Sequence, residues 1–161
     1  MSGRSAPKKR VRDSQVFATE LVLPNDTNQL GNLLGGRLMH WIDIAAAIAA
    51  QRHAGRVCVT ASVDELNFHE PIRLGEVVTL RASVNRVFRS SMEVGVLVTA
   101  QGLRTGAARR ANNAYLTFVA IDRAGRPVRV PHVVPGTGEE RRRFREALDR
   151  RQRRLESRTT R

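Results

Sequence analysis

The feature that most constrains the fold is one long helical segment followed by four strand-like stretches with no second helix among them. Residues 35–53, "GGRLMHWIDIAAAIAAQRH", set Leu38, Trp41, Ile42, Ala45, Ala49 and Arg52 at helical spacing, and Gly55 supplies a stop signal just beyond them. The second half is nearly all alanine, a composition that lets another backbone approach closely. A helix apolar nearly all round is expected to be buried. Residues 56–68, 76–89, 91–102 and 109–121 are β-branched, partly alternating runs. "PIRLGE" makes a turn between the first two, and "RAGRPV" follows the last. An earlier run, "SQVFATELVL" at 14–23, reads as a further strand. This order predicts an α+β domain, one antiparallel sheet of about five strands wrapped round one central helix. Residues 139–155 read as a charged helix with a thin stripe of Phe144, Leu148, Arg151 and Leu155, expected to pack lightly on the domain or a neighbour.

A chain of 161 residues is one domain by length. Its net charge of +13 is unevenly placed: residues 1–13 carry +4, residues 139–161 carry +5, and the 125 residues between them carry only +4. The divisions expected are therefore a basic, disordered tail over 1–13, a folded domain over 14–138 and an Arg-rich helix or tail over 139–161. A mildly basic domain argues against a dedicated nucleic-acid binder but suits a polyanionic small molecule. "PKKRVR" at 7–12 leaves nucleic-acid contact through the tails as a lesser expectation. No apolar leader segment follows the basic start, and Asp43 interrupts the longest apolar run well short of the ~20 residues a membrane span needs. The single cysteine, Cys58, has no internal partner and sits in the apolar run "VCVT", so a cytoplasmic protein with a buried, inert thiol is expected. His40, His53, His69 and His132 show no metal-ligand spacing, and no metal or other cofactor is implied. Only His40 is near the acid discussed next, as pocket lining.

Asp43 is the anomaly of the helix. An unpaired buried carboxylate costs several kcal/mol, so it needs either a partner or a job. Seven residues at about 100° each return Asp43 to within ~20° of the Gly36 stripe. Gly36 lies in the first turn, where backbone amides have no intrahelical partner and the helix dipole is positive. Glycines at 35 and 36 let a carbonyl oxygen approach those donors, the geometry of an oxyanion site. Asp43 would then act as general base toward water or as nucleophile, and spacing does not separate the two. A structural alternative is an acid satisfied by an arginine or by a cap.

Several motifs in order carry a resemblance. "DTNQLGNLLGGRLMHWIDIAAAIAAQRHAGRVCVTASVDELNFHEPIRLGEVV", "RSSMEVGVLV" and "NNAYLTFVAIDRAGRPVRVP" together resemble hotdog-fold acyl-CoA thioesterases of the YciA and brain acyl-CoA hydrolase type, over about residues 18–154. The resemblance implies a hotdog domain hydrolysing acyl-CoA to free fatty acid and coenzyme A, with Asp43 and Asn28 catalytic and the Gly36 amide polarising the thioester. It further implies that Asp and Asn meet across a homodimer, itself part of a trimer of dimers. Gly35, Thr60 and Ser62, and the "RSS" turn of Arg89, Ser90 and Ser91, become substrate contacts. Leu34 stands where many relatives have His or Phe, and Ile44 where some have a second acid; neither removes a group the mechanism uses. Two rivals differ in class: a non-catalytic acyl-CoA sensor or scaffold whose basic tails contact nucleic acid or protein, and a hotdog hydratase. The hydratase would want a His-Asp or His-Glu pair that the sequence does not display.

Overall fold

A computed structural model describes residues 7–64, 66 and 68–160. Its elements in chain order are β1 (Lys8–Arg10), a 3-10 turn (Val11–Ser14), β2 (Val16–Leu21), a second 3-10 turn (Pro24–Asp26), α1 (Gly35–Ala54), β3 (Cys58–Asp64), β4 (Val77–Val87), β5 (Ser91–Gln101), β6 (Ala108–Ala120), β7 (His132–Val134) and α2 (Gly138–Thr159). The main sheet is antiparallel in the order β2-β4-β5-β6-β3, and α1 lies across its inner face. This is the hotdog arrangement expected from the strand–helix–strand order.

Helix α1 buries Leu38, Ile42, Ala45, Ala46, Ala49, Ala50 and His53, and the alanines let the sheet come close. Gly55 closes the helix in the left-handed region (φ 66°) and donates its N–H to the Gln51 carbonyl at 2.8 Å. One expectation fails here. The helix is not buried all round: Ile44 and Ile48 are exposed, as are Val57, Val59 and Val63 on or beside the edge strand β3. Apolar residues on an open sheet edge and the adjoining helix face mark a surface that something covers.

The basic N-terminus also departs from expectation. Residues 1–6 lie outside the described residues, but from Lys8 the chain is ordered. Lys8–Arg10 pairs in parallel with His132–Val134. Val11 is 3% exposed, and the buried Ser14 hydroxyl donates to the Val11 carbonyl (2.8 Å) while accepting from the Val84 amide (2.9 Å). Lys9 Nζ donates to the Arg52 carbonyl, and Arg52 Nη1 to that of Gln15. Backbone pairing and one buried valine outweigh the composition that predicted disorder.

Helix α2 begins with a capping box: Glu140 N donates to Thr137 Oγ1, and Thr137 N to Glu140 Oε2, both at 3.1 Å. It docks on the outer face of the sheet by only part of the expected stripe, Phe144 and Arg151, the latter over the Phe88 ring at 4.5 Å. Leu148 and Leu155 are exposed, whereas Ala147 is fully buried and Phe144 is half-buried beneath the Arg86 guanidinium, 4.0 Å from its ring. Arg86 Nη1 also donates to the Phe144 carbonyl at 3.0 Å, and ion pairs add to these contacts. Glu93 on β5, its side chain 1% exposed, receives Arg150 Nη2 at 2.7 Å on Oε1 and Arg150 Nε at 3.0 Å on Oε2; Asn85 Nδ2 adds a third bond at 3.1 Å. Gly95 leaves the room for this cluster, since a Cβ there would lie 2.7 Å from Asn85 Nδ2. Arg154 Nη1 reaches Asp64 on β3 at 2.8 Å. The helix is thus keyed to β5 and to β3.

Candidate functional site

The answer to Asp43 lies on the neighbouring strand. Its carboxylate is half-exposed rather than buried, and Thr60 Oγ1 donates to Oδ1 at 2.8 Å. Thr60 is on β3, whose pairing with β6 shifts register between Thr60 and Ser62. Thr60 itself stays in register opposite Phe118, on the strand face that also carries Cys58, and the extra residue follows it. Thr60, expected to meet substrate through its strand, also engages the acid with its side chain. Ser62 holds a buried hydroxyl with no hydrogen-bond partner among the described residues.

Two turns earlier, α1 starts without a side-chain cap. Leu34 is the N-cap residue, and Gly35 and Gly36, in the first turn where amides lack an intrahelical partner, are exposed. The two glycines differ. A Cβ on Gly36 would meet nothing within 4 Å, whereas one on Gly35 would lie 3.2 Å from Phe68 Cζ. Gly36 is the open one. A cavity of about 320 Å³ adjoins this end, bounded by Gly35, Leu38, Phe68, Ile72 and Asn112.

Asn28 belongs to the loop before the helix. Its Oδ1 accepts from the Leu30 amide (2.9 Å) and the Asn32 amide (3.1 Å), and Gly31 closes the turn at φ 77°. The oxygen is spent on the loop, so the group Asn28 has to offer is its NH₂, a donor. The loop is fastened to the helix by a buried acid that sequence reasoning passed over. Asp26 Oδ2 accepts from the Leu23 amide, its Oδ1 pairs with Arg37 Nε at 3.1 Å, and its carbonyl accepts from the Leu34 amide. The turn residues Pro24–Asn25–Asp26 were the available signal.

Gly36 and Asp43 share a helix stripe but are separated along the axis by seven rises, roughly 10 Å. One carbonyl cannot sit on both, because attack requires contacts near 3–3.5 Å. This corrects the same-helix geometry expected from spacing alone. Asp43 is paired with Thr60, and among the described residues no hydrogen bond joins that pair to Asn28 or Gly36.

The "RSS" turn connects β4 and β5, where Phe88 N donates to the Ser91 carbonyl at 2.9 Å. Ser91 pairs with Val119 and Thr60 with Phe118, so the turn lies two strand spacings, ~10 Å, from Thr60. The Arg89 side chain is exposed. His40 is exposed beside the site, while His53 is buried at the far end of α1, its Nε2 2.7 Å from the Pro131 carbonyl and its pKa pushed down by burial. Among the described residues, no three His, Cys, Asp or Glu side chains converge as metal ligands, and no helix is long and apolar enough to cross a membrane. Burial pushes the Cys58 thiol up to about 11, so at pH 8 it stays protonated. Native protein is expected to give no rapid reaction with a disulfide reagent, and denatured protein one equivalent of thiol.

Known proteins share this arrangement. Residues 30–107 match the thioesterase superfamily. The uncharacterized acyl-CoA thioester hydrolase YkhA of Bacillus subtilis is 47% identical over 129 residues, which are 80% of this chain and 75% of that protein. Mouse acyl-coenzyme A thioesterase 11 is 43% identical over 142 residues, 88% of this chain but 24% of that protein, so the chain spans about a quarter of this longer relative. Among solved structures, a hexameric acyl-CoA thioesterase superposes with a TM-score of 0.93 at 38% identity, covering 96% of this chain and 99% of that one. An acyl-CoA hydrolase of Staphylococcus aureus, solved with butyryl coenzyme A, coenzyme A and coenzyme A disulfide, gives 0.87 at 39% identity, with 96% of each chain covered. The chain belongs to the thioesterase superfamily, and within it to the group of acyl-CoA thioester hydrolases that those relatives represent.

Proposed function

We propose that the chain hydrolyses acyl-CoA esters to the free acid and coenzyme A at sites shared between two copies. The observation that carries this reading is the Thr60–Asp43 hydrogen bond of 2.8 Å on an exposed helix face. It leaves the second carboxylate oxygen of Asp43 available, while the amide of Gly36 sits ~10 Å away along the helix axis and Asn28 lies in the loop before the helix. A two-fold partner resolves the separation. Asn28 Nδ2 and the Gly36 amide of one copy polarise a thioester carbonyl that lies against Asp43 of the other. The exposed Ile44, Ile48, Val59 and Val63 supply the apolar surface for that pairing, and three such dimers would make a hexamer.

In the first route, a water oxygen attacks the carbonyl carbon while its proton passes to the Asp43 carboxylate. The oxyanion is held by the two donors, the C–S bond breaks on collapse, and the coenzyme A sulfur leaves with the proton. In the second, the carboxylate attacks the carbonyl carbon, and the C–S bond breaks to expel coenzyme A thiolate and leave a mixed anhydride. Water then hydrolyses the anhydride to the free acid and the Asp43 carboxylate, its proton passing to the thiolate. Both need water and no other cofactor. A cytosolic setting accords with the free thiol of Cys58.

Thiol release measured on acyl-CoA esters from acetyl to palmitoyl tests the reading, and binding without turnover across the whole series would replace it with a sensor. Asn28→Asp tests the donor assignment. It keeps an oxygen for the Leu30 and Asn32 amides, so the loop should hold, but it presents a carboxylate to the thioester. Turnover is expected to fall by about 100-fold or more. Activity within threefold of wild type would show that the Asn28 NH₂ is not used.

A further inference from the structure

The two donors assigned to the thioester oxygen, the Asn28 NH₂ and the Gly36 amide, sit on different pieces of chain, and neither can place the other. Asn28 lies in a loop, where its own N–H donates to the Asn32 carbonyl at 2.9 Å and its side-chain oxygen is used within the loop. Gly36 is in the first turn of α1 and has no side chain. Asp26 reaches both pieces. Its carboxylate, 10% exposed, accepts from the Leu23 amide through Oδ2 at 2.9 Å and from Arg37 Nε through Oδ1 at 3.1 Å. Its backbone carbonyl accepts from the Leu34 amide at 2.8 Å. Leu34 stands just before Gly35–Gly36 and Arg37 just after, so Asp26 is tied to the helix on both sides of the glycine pair. It also lies two residues before Asn28.

An acid that served only its own turn would need only Leu23. The bond from the Leu23 amide to Oδ2 already closes that turn, and the second oxygen on Arg37 adds nothing to it. The other bonds of the loop run elsewhere: the Leu33 amide donates to the Ile72 carbonyl at 2.6 Å, and the Leu74 amide to that of Gly31 at 2.9 Å, both toward the segment before β4. The Arg37 side chain is 40% exposed, so losing its guanidinium should cost the fold little. What the pair does fix is the position of the loop against the helix start. Donors to a developing oxyanion work at about 2.7–3.1 Å from it. A displacement of about 1 Å in such a site can slow turnover by roughly 100-fold.

We infer that Asp26 is a positioning residue for the hydrolysis: through Arg37 and the Leu34 amide it holds the Asn28 NH₂ and the Gly36 amide in the mutual register that lets both donate to one thioester oxygen. The inference rests on the acyl-CoA reading above. Asp26 touches no reacting atom; its effect on the rate passes through Asn28. Arg37, an exposed arginine in the first turn of a helix, thereby gains a use that neither its sequence position nor its contribution to stability would suggest.

The experiment measures kcat and KM on one acyl-CoA ester for wild type, Asp26→Asn, Arg37→Met and Arg37→Lys, and for Asp26→Asn and Arg37→Met each combined with Asn28→Asp. Asp26→Asn keeps an oxygen for the Leu23 amide but turns an NH₂ toward Arg37, so the turn stays and the tie to the helix is cut. Arg37→Met cuts the same tie from its exposed side and keeps an apolar stem. Each is expected to lower kcat by about tenfold or more with KM within about twofold, the pattern of an interaction made in the transition state. Arg37→Lys, which still brings a cation to Oδ1, should recover part of the loss. Once Asn28→Asp has removed the donor, neither substitution should slow turnover by more than about twofold further, because no NH₂ is left to misplace. Values of kcat within twofold of wild type in Arg37→Met overturn the inference, and this variant decides alone if Asp26→Asn fails to fold. A full tenfold further loss on the Asn28→Asp background also overturns it, since Asp26 would then act apart from Asn28. Should wild type turn over no acyl-CoA ester, the hydrolase reading falls by itself, and hydrogen exchange at the Leu34 amide judges the tie. Exchange at least tenfold faster in Arg37→Met keeps the joint between loop and helix, and unchanged exchange removes it.

Discussion

Asp43→Ala is expected to slow turnover by about 100-fold or more across the acyl series while leaving the fold and assembly intact. The size follows from losing the general base or the nucleophile, either of which contributes at least two orders of magnitude. The fold should survive because the carboxylate is half-exposed and its one hydrogen bond comes from Thr60; removing it costs on the order of 1 kcal/mol. Asp43→Asn sharpens the test, because the amide oxygen still accepts from Thr60 Oγ1 and preserves the local geometry, yet it cannot take a proton from water. Equal losses in Ala and Asn place the effect on the charge and basicity of Asp43. A variant Asn enzyme within tenfold of wild type would reduce Asp43 to a positioning role. Thiol-release kinetics with size-exclusion and circular-dichroism controls would separate these outcomes.

The largest effect on stability is expected from Glu93→Ala. Glu93 accepts two bonds from Arg150 and one from Asn85 beneath α2, where the side chains of Glu93 and Arg150 are 1% and 13% exposed. Removing one member of a buried pair leaves the other charged and desolvated, a penalty of about 3–5 kcal/mol. The Arg150 guanidinium also lies over the Tyr115 ring at 3.6 Å, so it has no easy route to water. For a chain of this size the loss corresponds to a fall in Tm of about 10 °C, readable by scanning calorimetry. Replacing both partners, as Glu93→Leu/Arg150→Met, should restore much of it, since the pair costs desolvation that an apolar filling does not. If the double variant is no more stable than Glu93→Ala, the network rather than the isolated charge carries the stability.

The fold was largely legible in the chain because its signals are local. Gly55 after an alanine-rich periodic run, Pro and Gly between β-branched runs, and the order of the elements lead to a sheet round a helix without any knowledge of contacts. Half of the α2 stripe was misjudged because hydrophobicity was taken as the docking signal, whereas Arg150 and Arg154 dock by charge on acids far away in sequence. Residues 8–13 were misjudged because composition describes an isolated segment, and β1 exists only through its partner β7, more than 120 positions on.

For the site, the sequence by itself determined the chemical inventory: an acid on the central helix, a pair of glycines where its amides are unpaired, and an asparagine in the loop before it. What each group can reach was decided by tertiary structure. Asp43 has Thr60 as its donor because Thr60, opposite Phe118 in regular register, lies on the face of β3 turned to the helix. Asn28 offers its NH₂ because its oxygen closes a turn. The rise of a helix, about 1.5 Å per residue, keeps Gly36 from acting with the Asp43 of its own chain. Angular phase is readable along a sequence, but distance between side chains is set by how elements pack, and the chemistry depends on the distance.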